Sequence, residues 1–382
     1  MAAKKIGVIG GGQLAWMMGS VAPNLDLELI VQTPKYNDPA VSKAQNVILG
    51  AIADSQATAK LATLCDVITF ENEFIDLDAL QSLVEQQGVI FRPSLDALAP
   101  LLDKYEQRSY LQSIGLPIPK FSLLEQKSDL QTPLCKKFPV VLKARRHGYD
   151  GQGTFIVKDA VELSAIWHKY GCPSLLIEEF IPFTKELAIM VARNNSGEII
   201  TYPVVETYQK QQVCHWVIAP AEVSQAVKKQ VQAIARTLVE KLQVVGIFGI
   251  ELFLTSDERV LVNEIAPRTH NSGHYTLDAC DISQFEMQLR TVAEIPLTPP
   301  VMKSHASVMV NLLGYETSDS DYLEKRQQIA QLPNTYIHWY GKTDSHPGRK
   351  LGHVTVLLSA EEYSQAEEIA NKIESLWYSS IP

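Results

Sequence analysis

Over the first hundred residues, short apolar runs alternate with stretches of mixed, helix-like spacing. "KKIGVIG" reads as a short buried strand, "GGQ" as a turn and "LAWMMGSVAPNL" as a helix; "LELIVQT", "CDVITFENE" and "VIFRPS" read as further strands. Strand and helix in alternation predict a parallel, doubly wound sheet. From about 101 the pattern becomes richer in strands. The helix in "DKYEQRSYLQSIGLPIP" is stopped by Gly115 and two prolines, and strands are expected at 140–143, 154–157, 175–181, 186–192 and 199–205. "EVSQAVKKQVQAIARTLVEKL" places Val223, Val227, Val231, Ile234, Leu238 and Leu242 at helical spacing, which predicts a packed amphipathic helix. "GIFGIELFLT" and "RVLVNEIA" close this segment as two strands. Beyond 301, "HASVMVNLLG", "TYIHWYGK" and "GRKLGHVTVLL" predict strands before a final helix. The expected domains are 1–100, 101–300 and 301–382.

Composition narrows the class. With 382 residues, 46% hydrophobic and 20% charged, the chain suits two or three soluble globular domains. Its formal net charge of −9 argues against nucleic acid as a partner, while local clusters such as Lys143–Arg146 remain able to bind small anions. Five scattered cysteines without a C-x-x-C pair argue against a zinc or disulfide framework. No apolar run approaches the ~20 residues of a membrane span, so a cytoplasmic protein without a membrane partner is expected.

Three stretches carry candidate chemistry. Gly10, Gly12 and Ala15 fit the G-x-G-x-x-G/A turn of dinucleotide sites, but the second strand ends Val31-Gln32-Thr33, without the carboxylate that binds ribose. A simple phosphate or a purely structural turn fits as well. "KARRHGYDGQG" joins strand to strand; its glycine amides suit phosphate, with Lys143 supplying charge, and a plain glycine hairpin is the alternative. A hairpin centred on Asp257-Glu258 would set Glu251 opposite Glu264, since both pairs sum to 515. Like charges facing across a ladder repel, and a hard cation such as Mg²⁺ would remove the penalty. A longer loop would instead leave two unrelated glutamates. Directly after Glu264, "APRTHNSGH" gathers Arg268, His270, Asn271 and His274 in a loop, where Arg suits a planar oxyanion such as bicarbonate. Neither a G-x-S-x-G elbow nor an H-E-x-x-H motif is present.

In order along the chain, "GGGQL", "TFENE", "KARRHGYDGQG", "EEFI", "GIELF", "NEIAPRTHNSGH" and "HWYGKTDSHPGRKLGH" resemble the 5-(carboxyamino)imidazole ribonucleotide synthase family of ATP-grasp ligases. The resemblance implies an α/β ATP-grasp fold, with an N-terminal doubly wound domain and a small C-terminal α+β domain. It implies ATP, Mg²⁺, bicarbonate and 5-aminoimidazole ribonucleotide as ligands, a carboxyphosphate intermediate and a homodimer. For ATP it implies Lys104, Lys143, a loop of Gly148, Tyr149, Asp150, Gly151, Gln152, Gly153 and Thr154, the linker Glu178, Glu179, Phe180 and Ile181, then Glu186, Gln209, Asn263 and Glu264. Glu251 and Glu264 would hold metal. Tyr149, Asp150, Arg268, His270 and Asn271 would surround bicarbonate and the attacking amine, and Gln13, Glu73, Lys342 and Arg349 would hold the ribonucleotide. Gln209, Trp16 and His147 depart from the family's usual histidine, arginine and glycine. The formylating ligase of glycinamide ribonucleotide shares these parts, although "HNSGH" and "GRKLGH" favour carboxylation; an oxidoreductase built on Gly10–Ala15 is the other alternative.

Overall fold

The computed structural model describes residues 4–146, 153–171 and 173–379. Strands β1 (Lys4–Ile9), β2 (Leu27–Thr33), β3 (Asn46–Leu49) and β4 (Val67–Phe70) form a parallel sheet in the order β3-β2-β1-β4. Parallel strands need helices on their faces, and the Gln13–Val21 and Ser55–Ala62 helices supply them. The strand expected in "VIFRPS" is absent: Phe91 makes one isolated bridge to Ile68, and Pro93, without an N–H, ends any ladder.

A second sheet, order β5-β8-β6-β7, is antiparallel and is built from β5 (Phe121–Leu124), β6 (Val140–Ala144), β7 (Thr154–Val157) and β8 (Leu175–Glu179). The third sheet contains β9 (Phe183–Arg193), β10 (Ile199–Thr201), β11 (Val205–Lys210), β12 (Val213–Ala219), β13 (Gly246–Thr255), β14 (Val260–Ala266), β15 (Ala306–Leu313), β16 (Thr335–Trp339) and β17 (Lys350–Leu358). Its order is β14-β13-β9-β11-β12-β15-β17-β16, with β10 on β9, so the C-terminal strands extend the same sheet. The single strand expected at 199–205 is two, β10 and β11, separated at Pro203, and the hairpin partner β12 went unpredicted.

Helix Gln225–Lys241 begins at Ser224, whose hydroxyl accepts from the Val227 N–H, and buries Val227, Val231, Ile234 and Leu238 as the spacing required. Helix Gln284–Ala293 locks the sheets together. Its Phe285, Leu289 and Val292 are buried in the core beneath the Gln13–Val21 helix. The Gln288 amide donates to Thr69 Oγ1 at 2.7 Å and accepts from the Ile247 N–H at 2.7 Å. These bonds tie β4 to β13. A cleft of about 370 Å³ is lined by the segment after β4, the start of helix Lys104–Ser113 and the end of β14.

Candidate active site

Glu251 and Glu264 face each other across β13 and β14, as expected, but by another route. At the tip Thr255 N donates to Arg259 O, and Leu254 pairs with Val260: the loop holds three residues, with Glu258 in the left-handed region at φ 58°. That register alone would misalign the glutamates by one residue. A bulge between Glu251 and Leu252 inserts Asn263 and restores the pair. The same bulge turns Asn263 towards Lys143, whose Nζ donates to its Oδ1 at 3.1 Å.

Lys143, 7% exposed at the end of β6, meets Glu178 Oε2 at 2.7 Å. Glu178, 2% exposed on β8, also accepts from Arg108 Nε, and Arg108 reaches on to the Asn263 carbonyl. Burial pushes the Glu178 carboxyl up, yet Arg108 and Lys143 outweigh it and hold it down at about 2. Burial lowers Lys143, with Glu178 working the other way. Lys104, at the mouth of the cleft, lies 3.0 Å from Glu264 Oε1. Burial raises Glu264, whereas Lys104 and Lys143 pull it down further than burial lifts it; 40% of its side chain stays open to the cleft.

Glu251 behaves oppositely. Burial first, then Glu264 and Glu186, push it up to about 8. Glu186, on β9, is itself pushed up to about 7 by burial. Glu251 and Glu264, opposed across the ladder, offer carboxylate oxygens of the kind a hard divalent cation takes, so this pair fits Mg²⁺.

Beyond β14 the loop swings Arg268 onto Glu73 from the first domain in a two-pronged pair, Nε to Oε2 at 2.7 Å and Nη2 to Oε1 at 3.2 Å. His270 Nε2 lies 3.6 Å from Glu251 Oε1, and its Nδ1 lies 2.9 Å from Ser272 Oγ. Asn271 is turned away: its amide and that of Asn311 bond reciprocally at 2.9 and 2.7 Å. His274, 1% exposed, accepts from Gln284 and lies against Phe285 and His353.

Other expected residues spread over the rim. Gln13 starts the first helix, half-buried. Lys342 Nζ donates to the Lys350 carbonyl at 2.6 Å, and Arg349 pairs with Asp344. Thr154 pairs with Lys143 across β6 and β7, and the Gly153 carbonyl accepts from Ala144. Glu179 Oε1 accepts from the Lys120 N–H at 2.8 Å; Phe180 is half-buried and Ile181 buried. Gln209 of β11 sits opposite a bulge in β12 at His215. Trp16 packs edge-on against Tyr340. His147, Gly148, Tyr149, Asp150, Gly151 and Gln152 lie outside the described residues.

Sequence reasoning missed Arg108 and Glu71. It also counted Arg145 towards phosphate, but Asp103, the N-cap of helix Lys104–Ser113, holds the Arg145 Nε at 2.9 and 3.0 Å. Glu71 resolves the glycine turn. Its carboxylate accepts from Gly12 N at 2.5 Å and Leu14 N at 3.1 Å, filling the helix N-terminus a phosphate would need. Gln32 is fully buried and bonded to Ala51 and Thr58. The turn is structural, and the dinucleotide alternative falls.

Comparison with known proteins agrees with this geometry. A ribonucleotide synthetase preATP-grasp domain model matches residues 3–99, an ATP-grasp domain model 109–285 and a phosphoribosylaminoimidazole carboxylase C-terminal domain model 307–367. N5-carboxyaminoimidazole ribonucleotide synthase of Synechococcus elongatus is 54% identical over 377 residues, covering 97% of this chain and 95% of that protein. The Synechocystis synthase is 51% identical, covering 98% of each. The crystal structure of the Aspergillus clavatus synthase with ADP and 5-aminoimidazole ribonucleotide superposes with a TM-score of 0.89 at 31% identity, covering 98% of each chain. With homologous domains in one order from end to end, the chain belongs to the N5-carboxyaminoimidazole ribonucleotide synthase family of ATP-grasp ligases.

Proposed function

We propose that the protein carboxylates 5-aminoimidazole ribonucleotide with bicarbonate at the expense of ATP, giving N5-carboxyaminoimidazole ribonucleotide, ADP and phosphate. The observation that carries this reading is that Glu73, Lys104 and Glu264 line one cleft, with Glu251 opposed to Glu264, Arg268 gripping Glu73, and Lys143 at an adjoining pocket that Lys104 and Glu264 also line. Phosphoryl transfer demands positioned cations, and carboxylation demands an oxyanion site beside them.

Lys143 and Lys104 hold the ATP phosphates, with Glu178 and Arg108 fixing Lys143 from behind. Glu251 and Glu264 would hold Mg²⁺, which supplies charge neutralisation at the phosphates. Asn263 lies beside the nucleotide, 178–181 meets adenine, Glu186 the ribose, and Gln209 the rim of that pocket. Bicarbonate takes the γ-phosphoryl group to form carboxyphosphate. Arg268, aimed by Glu73, binds its carboxylate end, and the ribonucleotide amine attacks that carbon as phosphate leaves. His270 stands between Glu251 and the loop, and Asn271 holds the loop in place through Asn311. Tyr149 and Asp150 join Arg268 and His270 around bicarbonate and the attacking amine, where exclusion of water protects the labile intermediate. Gln13, Glu73, Lys342 and Arg349 hold the ribonucleotide. The reading extends to a cytoplasmic homodimer, which sedimentation tests.

The test is isotopic: ¹³C-bicarbonate incubated with Mg²⁺-ATP and 5-aminoimidazole ribonucleotide yields a labelled, acid-labile carbamate on the ribonucleotide. Turnover without label transfer overturns the assignment.

A further inference from the structure

Away from the cleft, three potential metal ligands converge where helix Thr276–Ala279 crosses the C-terminal strands. His338 of β16 and His353 of β17 are directly opposed in the antiparallel ladder, with rings stacked at 4.6 Å and 15°. Asp278, from the helix, lies 2.9 and 3.2 Å from His338 Nε2. One ligand atom from each residue lies within 4.8 Å of the other two.

His353 supplies the second observation. It is fully buried, and its Nε2 has no hydrogen-bond partner, an arrangement that costs stability unless something binds there. Its other nitrogen, Nδ1, lies 2.8 Å from the Tyr340 hydroxyl. In the tautomer whose Nδ1–H donates to the Tyr340 hydroxyl, Nε2 keeps its lone pair for a metal. A histidine ligand held from behind in this way is the usual support of a bound metal.

We propose that Asp278, His338 and His353 form a site for a divalent transition metal of the zinc type, separate from the carboxylates of the cleft. Two imidazoles and one carboxylate suit Zn²⁺ or Co²⁺, whereas Mg²⁺ takes oxygen ligands. Tetrahedral zinc separates its ligand atoms by about 3.4 Å, so the set closes on a metal when the partly exposed His338 turns out of its stack with His353 and Asp278 follows, with water in the fourth position. The metal clamps the helix that follows the Arg268–His274 loop onto β16 and β17.

Chelator-treated protein titrated with Co²⁺ tests this. One equivalent binds with the visible absorption of a four-coordinate site, and Zn²⁺ displaces it. His338→Gln and Asp278→Asn each weaken binding at least tenfold, while Glu264→Gln leaves it unchanged. Absence of stoichiometric binding, binding indifferent to both substitutions, or loss on Glu264→Gln overturns the proposal. Zinc-soaked crystals of the unaltered protein give an arm free of folding effects: anomalous density between His338 and His353 supports the site, and none there refutes it.

Discussion

Glu178→Gln is the most informative single change, because the chain stakes a buried charge cluster on that carboxylate. Glu178 is 2% exposed and is shared by Arg108 and Lys143, so neutralising it leaves two cations facing each other without an anion. Removing one partner of a buried ion pair costs about 3–5 kcal/mol. Linkage gives an independent figure. A carboxyl held at about 2 instead of its ordinary 4.5 stabilises the fold by about 3 kcal/mol at neutral pH. Because the folded value is depressed, this stabilisation is present above pH 4.5 and is lost as pH falls towards 2. At pH 3 about 1 kcal/mol remains. At about 2.1 cal/mol/K per residue the unfolding entropy is ~0.8 kcal/mol/K, which converts the neutral-pH loss to ~4 °C in Tm for cooperative unfolding. Calorimetry of both proteins at pH 7 and pH 3 measures the gap. A gap under 1 °C, or one that does not narrow on acidification, refutes the assignment of Glu178 as the counter-ion of this cluster.

Glu264→Gln is expected to keep the fold and lose Mg²⁺-dependent turnover by at least a hundredfold, read as the Mg²⁺ titration of ADP release. Glu251, raised to about 8, must lose its proton to take a cation, so apparent Mg²⁺ affinity should rise about tenfold per pH unit from 6.5 to 7.5 and level off above 8.5. Titrations in Glu251→Gln should lack that rise. Arg268→Lys keeps the charge but loses the two-pronged hold on Glu73 and should lower kcat/KM for the ribonucleotide about 30- to 150-fold, a loss of ~2–3 kcal/mol. Gly12→Ala places a Cβ 2.4 Å from Glu71 Oε1 and should cost about 1–3 kcal/mol in a denaturant melt.

Periodicity revealed what repeats. The apolar runs located three strands of the four-stranded parallel sheet, missing β3, and the spacing from Val227 to Leu238 located the long helix with its buried face. Pairing in the Glu251–Glu264 hairpin was legible only as arithmetic: a two-residue loop predicts the right opposition, yet the chain reaches it with a three-residue loop and a compensating bulge. A bulge leaves no periodic trace, so its consequence, Asn263 turned to Lys143, could not be read from spacing. The misses share that character. Arg108 lies on a helix as one polar residue among many, and only the fold brings it to Glu178, seventy positions away. Glu71 stands two residues before Glu73, and nothing local says that one fills a helix N-terminus while the other grips Arg268. Arg145 erred in the opposite sense, since a nearby N-cap aspartate satisfies its charge. Groups of known chemical type were found; their partners across sheets were not.

The most direct measurement of the central claim is ADP release from Mg²⁺-ATP and bicarbonate, with and without 5-aminoimidazole ribonucleotide. The account predicts release that depends on both the ribonucleotide and bicarbonate. Indifference to that ribonucleotide, with turnover on glycinamide ribonucleotide and formate instead, would contradict it.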